Sequence, residues 1–431
     1  MDFVRRQLKC GAYLNVLQTD KFKKNYISVN FAFEHNESNA ALSSLLSDVL
    51  TRATKKYPSL RDVERELDEC YGASLSSYTT VKGSYKILTV SIDCLDDHYA
   101  FDGEQLFRRS IDMLSEVLFF PLVENGSFCE EYVDSEKEKL LASIARRNNS
   151  KRHYASDRCK SIMCKGEPCG IAAYGSVDAV KRIDARSLYE FYNYMLSESS
   201  IEIFYVGSRS LEDVSKPLEN MLGSIDVDRH TFLSYPQKLS VSEPRRVFED
   251  AEYKQSVLVM GYRTNVNSED DCKYAFILFN SLFGSGVNSK LFRVVREQMH
   301  LCYYASCAPD LSSSVAYVTS GIDVSNEKKA QDAIVEQLDA VVRGDFTDDD
   351  ISDCKKSILN AYRELYDSAE GLCGWYLGRV IYGDNGTIDD TLKRILNVSR
   401  DEVIEVAQKM QLDTVYVLRG TAKSADGGSD E

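Results

Sequence analysis

DAVKRIDARSLYEFYNYMLSESSIEIFYVGS at 178–208 returns, altered but recognisable, as DTLKRILNVSRDEVIEVAQKMQLDTVYVLRGT at 390–421. Both stretches run Lys-Arg-Ile, a short turn with Ser187 or Ser399, an amphipathic helix, and an apolar strand ending at Gly207 or Gly420. Agreement over about thirty residues with almost no shift marks an internal repeat, which decides the fold before any single element does.

Working outward, the earlier segments agree in type and order. YISVNFAF (26–33) and QSVLVMGY (255–262) read as strands, each leading into a helix, at 40–52 and 272–283. A Tyr-x-Ala-Ser start at Tyr71 and at Tyr303 opens a pair of strands in each half. Long helices follow, LFRRSIDMLSEVLFF (106–120) and AQDAIVEQLDAVVRG (330–344), then the charged helices EEYVDSEKEKLLASIARR (130–147) and DDDISDCKKSILNAYRELY (348–366). The series predicts an α+β fold of two tandem homologous domains, each a largely antiparallel sheet with helices packed on one face. The expected boundaries are 1–222 for the first domain, 223–245 for a linker with Pro236 and Pro244, and 246–431 for the second. Residues 421–431, ending SADGGSDE, read as a disordered tail.

Composition narrows the function classes. A chain of 431 residues with 43% hydrophobic and 28% charged residues fits two globular domains. A net charge of −15 would repel nucleic-acid phosphates, so no nucleic-acid partner is expected. The N-terminus lacks the apolar core of a signal peptide, and no run of apolar residues is long enough to span a membrane. The expectation is a cytoplasmic protein with no membrane partner. The twelve cysteines then read as reduced thiols, scattered through helices and strands. Cys159, Cys164 and Cys169 recur every five residues; with no histidine nearby to complete a zinc set, they read as semi-buried thiols. Arg146, Arg147, Lys151, Arg152, His153, Arg158 and Lys160 form a local basic stretch, read as a solvated helix face rather than a patch for an acidic partner.

Chemistry is sought on the helix after the first long strand. In ALSSLLSDVL, Leu42, Leu45, Leu46 and Val49 form one apolar stripe, while Ser44, Ser47 and Asp48 share the other face at i, i+3 and i+4. With the turn Thr54-Lys55-Lys56-Tyr57-Pro58 behind it, this segment resembles the insulinase/pitrilysin family of zinc metallopeptidases, which includes the mitochondrial processing peptidases. The resemblance covers nearly the whole chain. It implies His-x-x-Glu-His on this helix, with the histidines falling on Ser44 and Asp48 and the glutamate on Ser47. The family's third zinc ligand, a glutamate on a later helix, falls on Ser143. Because the interval between the helices is longer here than is usual, Glu136 or Glu138 stands as the alternative.

Hydroxyls are poor zinc ligands and serine cannot act as a general base near neutral pH, so loss of ligands and base together predicts a silent site. The five histidines, far apart in sequence, offer no replacement pair at i, i+4. FGSGVNSKLFRVVREQMHLCYYASC (283–307) resembles the family's second-domain stretch, whose arginine and tyrosine reach substrate in active members. They match Arg296 and Tyr303, with Leu291 and Phe292 packing on the same helix, whereas the Gly284-Ser285-Gly286 turn is read as a turn between helices.

The resemblance is greatest to a catalytically silent member of a paired set, associated with modification of elongation factor P. It implies a non-catalytic subunit that pairs with an active zinc-peptidase homologue, as a hetero- or homodimer, and helps form a chamber for a peptide or unfolded segment. No cofactor is expected. The alternative is a zinc metallopeptidase with unconventional ligands, Asp48 with Glu136 or Glu138.

Overall fold

The computed structural model describes residues 2–223, 225 and 240–421 and gathers them into two units. Most of the expected linker and the final tail lie outside these residues.

The first unit comprises the described residues within 1–145, 171–233 and 365–385. The six strands of its main sheet are β1 (Asp2–Gln7), β2 (Tyr13–Gln18), β3 (Lys24–Glu34), β4 (Ser74–Lys82), β5 (Tyr85–Leu95) and β6 (Ser200–Gly207). They lie in the order β1-β2-β6-β3-β5-β4, with every pairing antiparallel except β2 with β6. The second unit comprises the described residues within 146–170, 234–364 and 386–431. Its strands are β7 (Arg245–Ala251), β8 (Ser256–Arg263), β9 (Cys302–Asp310), β10 (Val315–Ile322) and β11 (Gln411–Gly420). Their order is β9-β10-β8-β11-β7, again antiparallel except for one pair, β11 with β7. Read from the parallel pair, β2-β6-β3-β5-β4 and β7-β11-β8-β10-β9 are the same topology. The repeat is therefore a duplicated domain, with β1 an added edge strand.

Local chemistry sets the helices of the repeat. Ser399 caps Arg400–Gln408 by accepting from Glu402 N–H, and the Glu402 side chain answers the Ser399 backbone. In the first copy Asp184 is the cap of Ala185–Glu198 and Ser187 takes the answering position. Each box satisfies donors that a helix start leaves open.

Alternation along β3 places Ile27, Val29, Phe31 and Phe33 in a core with Leu45, Leu46 and Val49 of helix α1 (Glu37–Leu50). The other face of the sheet is buried too, beyond the one covered face expected. Asn30 Nδ2 donates to Glu202 O at 2.8 Å, Thr89 Oγ1 donates to Asn30 Oδ1 at 2.8 Å, and Asn15 Nδ2 donates to Glu202 Oε2 at 2.8 Å. Arg5 pairs with Glu202.

Two helices of the chain accordingly pack away from their sequence neighbours. Lys151–Met163 belongs to the second unit, where Ala155 and Cys159 pack against Val257, Val259, Tyr416 and Leu418. Ala369–Val380 belongs to the first unit, where Tyr376 stacks on Phe3 at 4.2 Å and Cys373 lies beside Ser28. The contiguous spans 1–222 and 246–431 are thus each interrupted by an exchanged segment.

Candidate functional site, a serine-lined helix closed by a lysine

Helix α1 starts where Asn36, in extended backbone, accepts from Asn39 N–H at 2.9 Å. Its serines are then spent on its own backbone. Ser44 Oγ donates to Ala40 O at 2.9 Å and Ser47 Oγ donates to Ser44 O at 2.8 Å. Both residues are buried. Serine in a helix interior commonly back-bonds in this way, which ties up the hydroxyl hydrogen.

A loop lies directly over this face. Gly175, at φ +71°, brings its backbone so close to Ala41 that a Cβ would sit 2.7 Å from the Ala41 side chain. The approach carries the Ala173 carbonyl to Lys86 of β5, whose Nζ donates to Ala173 O at 2.5 Å and to Ser44 Oγ at 3.3 Å. His35 Nε2 lies 3.4 Å from Ile171 O and ties down the start of the same loop. Lys86 is 0% exposed, and burial pulls its ammonium down to about 7. Sequence reasoning passed over this residue.

Asp48, half-buried at the next turn of α1, is pushed up to about 6 by burial first and by the Glu136 charge second. Glu136 is buried on the helix Glu130–Asn149 and pairs with Lys139 at 2.8 Å and Arg52 at 3.5 Å. Ser143 lies two turns further along that helix and is exposed, as is Glu138. The structure thus brings Glu136, rather than Ser143 or Glu138, to Asp48. Zinc does not fit this arrangement. Its would-be ligands are hydroxyls already bonded to carbonyls, an ammonium points at Ser44, and one of the two carboxylates is engaged by two cations.

The raised Asp48 has a measurable sign. The folded chain holds this proton up to about pH 6, whereas the unfolded chain releases it in the usual carboxylate range. Stability from this group is therefore fully present below about pH 4 and lost as pH rises through about 6. Asp48→Asn is expected to stabilise the chain by about 1–2 kcal/mol at pH 7.5, half-burial discounting the full shift, and by almost nothing at pH 3.5. Urea melts at the two pH values check this; equal effects at both would remove the assignment.

In the second unit Arg296 sits on a π-helix, Leu291–Gln298, a rare form that alters the angular spacing of side chains. Its guanidinium lies 4.4 Å from the Phe292 ring centroid and 3.5 Å from Glu297. Tyr303 is the second residue of β9, exposed, with its hydroxyl donating to Asp323 Oδ1 at 3.2 Å. Both side chains reach the surface, and their partners differ. Leu291 is buried as expected, and Gly284 packs so tightly that a Cβ would meet Cys307 at 2.4 Å, which makes Gly284-Ser285-Gly286 a packing turn. Within the basic stretch Arg147 pairs with Asp157, Arg158 pairs with Glu249, and Arg152 covers the Tyr304 ring.

Comparison with known proteins gives the family. The profile of the peptidase M16 inactive domain matches residues 182–358. A Bacillus subtilis protein named "Probable inactive metalloprotease YmfF" is 31% identical over 418 residues, 95% of this chain and 96% of that protein. The chain belongs to the M16 peptidase family. A conserved protein from Enterococcus faecalis has the same fold at TM-score 0.89 and 28% identity, covering 98% of this chain and 100% of its own. A protease from Helicobacter pylori shares the fold at TM-score 0.83 with 14% identity, covering 97% and 99%. Within the M16 family this chain is a peptidase homologue whose sequence contains no His-x-x-Glu-His. Among the described residues no helix is long and apolar enough to cross a membrane.

Proposed function

We propose that the chain is a non-catalytic, peptidase-like subunit that pairs with an active zinc-peptidase homologue and helps form a peptide-holding chamber in the cytoplasm. The observation that carries this reading is the closure of the serine face of α1 by Lys86 and the Ala173 carbonyl, where a working M16 helix would present ligands. The free state of all twelve cysteines supports a reducing compartment. A metallopeptidase built on Asp48 and Glu136 has their adjacency in its favour, yet Ser47, spent on Ser44 O, leaves it without a base.

Peptide contact is assigned to Arg296 and Tyr303. A guanidinium donates in a fixed fork suited to a peptide carbonyl or carboxylate, and an exposed tyrosine adds an apolar face with one hydroxyl. The test mixes the chain with an M16 homologue that retains His-x-x-Glu-His, from the same genome, and follows complex formation and peptide hydrolysis. The chain alone, with zinc added, should cleave nothing. The complex should cleave, and Arg296→Ala with Tyr303→Phe should cut peptide turnover by about tenfold or more, about 1.4 kcal/mol, with Tm nearly unchanged. Hydrolysis by the chain alone would overturn the reading. A double variant that turns over peptide normally but melts far lower would make the pair structural.

A further inference from the structure

The second unit contains a cluster of ligand-type side chains that the peptide reading does not use. The helix Lys151–Met163 is closed by Cys164, and the chain then folds back on itself. Glu167 N–H donates to Cys164 O at 2.9 Å and Gly170 N–H donates to Glu167 O at 2.9 Å. Only glycine fits at 170, because a Cβ there would sit 2.3 Å from the Cys164 carbonyl oxygen. This knuckle brings Cys164 Sγ, Cys169 Sγ and a Glu167 carboxylate oxygen within 4.8 Å of one another, and all three residues are buried.

The separations suit a small ion. Cys169 Sγ lies 3.8 Å from Glu167 Oε2, and the Tyr317 hydroxyl lies 3.5 Å from Cys164 Sγ. In a tetrahedral zinc site with bonds of about 2.0–2.3 Å, neighbouring ligand atoms stand roughly 3.4–3.8 Å apart. Both oxygens of the carboxylate are held by one guanidinium: Arg263 Nη1 donates to Glu167 Oε2 and Nη2 to Oε1, both at 2.8 Å. Such outer partners fix the orientation of ligating carboxylates. Cys159 is buried as well, but its thiol is directed at Val259 O at 3.9 Å.

We propose that Cys164, Glu167 and Cys169 form a structural site for a thiophilic divalent cation of the zinc class, with the Tyr317 hydroxyl at its edge as a hydrogen-bond partner of the Cys164 sulfur. One ion replaces two thiol protons, which leave to solvent, and two metal–sulfur bonds form. The ion's charge equals that of the protons it displaces, so the net charge of the buried cluster does not change. The site uses no residue of the serine helix and stands whether or not the chain pairs with a peptidase.

The test takes tag-free full-length protein, stripped with chelator, and titrates it with Co²⁺ and then Zn²⁺. Expected are sulfur-to-cobalt charge-transfer bands saturating near one ion per chain, displacement by zinc, and release of about two protons per ion near pH 7. The bands should disappear in Cys164→Ser/Cys169→Ser and persist in Cys159→Ser. A readout without substitution guards against misfolding. Trypsin cuts after Lys160, Lys165 and Lys181, so Cys164 and Cys169 fall on separate peptides, 161–165 and 166–181. Zinc should slow alkylation of both at least tenfold more than at the remaining cysteines. Absence of thiolate bands, bands that survive the double substitution, or alkylation of these two peptides indifferent to zinc would each overturn the site.

Discussion

Lys86→Met should make the chain more stable at pH 6 and abolish most of the rise in stability that the native chain shows between pH 7 and 10. Lys86 is wholly buried, and its only charge-related environment is loss of water, which brings its ammonium to about 7. The folded chain gives up this proton near pH 7 while the unfolded chain keeps it to about 10.4. Between those values the unfolded chain binds more protons, so stability rises with pH, and below about 7 the penalty is fully present. The shift corresponds to a burial cost on the order of 4–5 kcal/mol. Methionine has similar length and no charge. Its cost is the hydrogen bond to Ala173 O, about 1 kcal/mol, softened by Ser44 Oγ lying 3.3 Å from the same oxygen. The net gain at pH 6 is then about 2–4 kcal/mol, fading above pH 9. Denaturant melts at pH 6 and 9 decide it: parallel losses in variant and native protein would mean that Lys86 does not titrate in this range.

Arg263→Met should cost about 3–5 kcal/mol in chelated protein, because it strands the buried carboxylate of Glu167. Arg263 is 1% exposed, and its Nε donates to Asp413 Oδ2 at 3.0 Å while its other nitrogens hold both oxygens of Glu167. Asp413 keeps Arg245, at 2.6 Å, but Glu167 loses its cation. Adding Glu167→Gln should return a good part of the loss, a coupling that independent sites would not show. An Arg263→Met chain that melts like the native one at pH 7.5 would refute the account.

The fold was legible because two periodicities and a repeat all pointed the same way. The α1 face was legible for the same reason, since Ser44, Ser47 and Asp48 follow from a 3.6-residue turn alone. The register of the second helix was not read, although a signal existed. Val133, Leu140 and Ile144 form its buried stripe, and Glu136 falls on that stripe whereas Ser143 does not. A carboxylate at an apolar position is the one that needs a partner. Lys86 was missed because a lysine two residues past a turn looks like a solvated strand end; its ammonium is met by Ala173 O, 87 positions away. The Arg263–Glu167–Asp413 cluster joins positions 96 and 150 apart, a distance no local pattern spans. The one-faced sheets expected from the sequence fit the alternation of β3, where Ser28 and Asn30 interrupt the apolar residues; the apolar run of β8 was a sign of burial on both faces, but it does not say which helix does the covering.

Those covering helices change what the duplication means. Lys151–Met163 is encoded in the first copy and completes the sheet of the second unit; Ala369–Val380 is encoded in the second copy and completes the first. A fragment ending before β7 would therefore carry one sheet with a bare face and one helix with nothing to cover. Its complement would carry the same two defects in reverse. Neither copy of the repeat holds all the helices of its own unit, so a chain cut between the copies is expected to need both halves together to rebuild either unit.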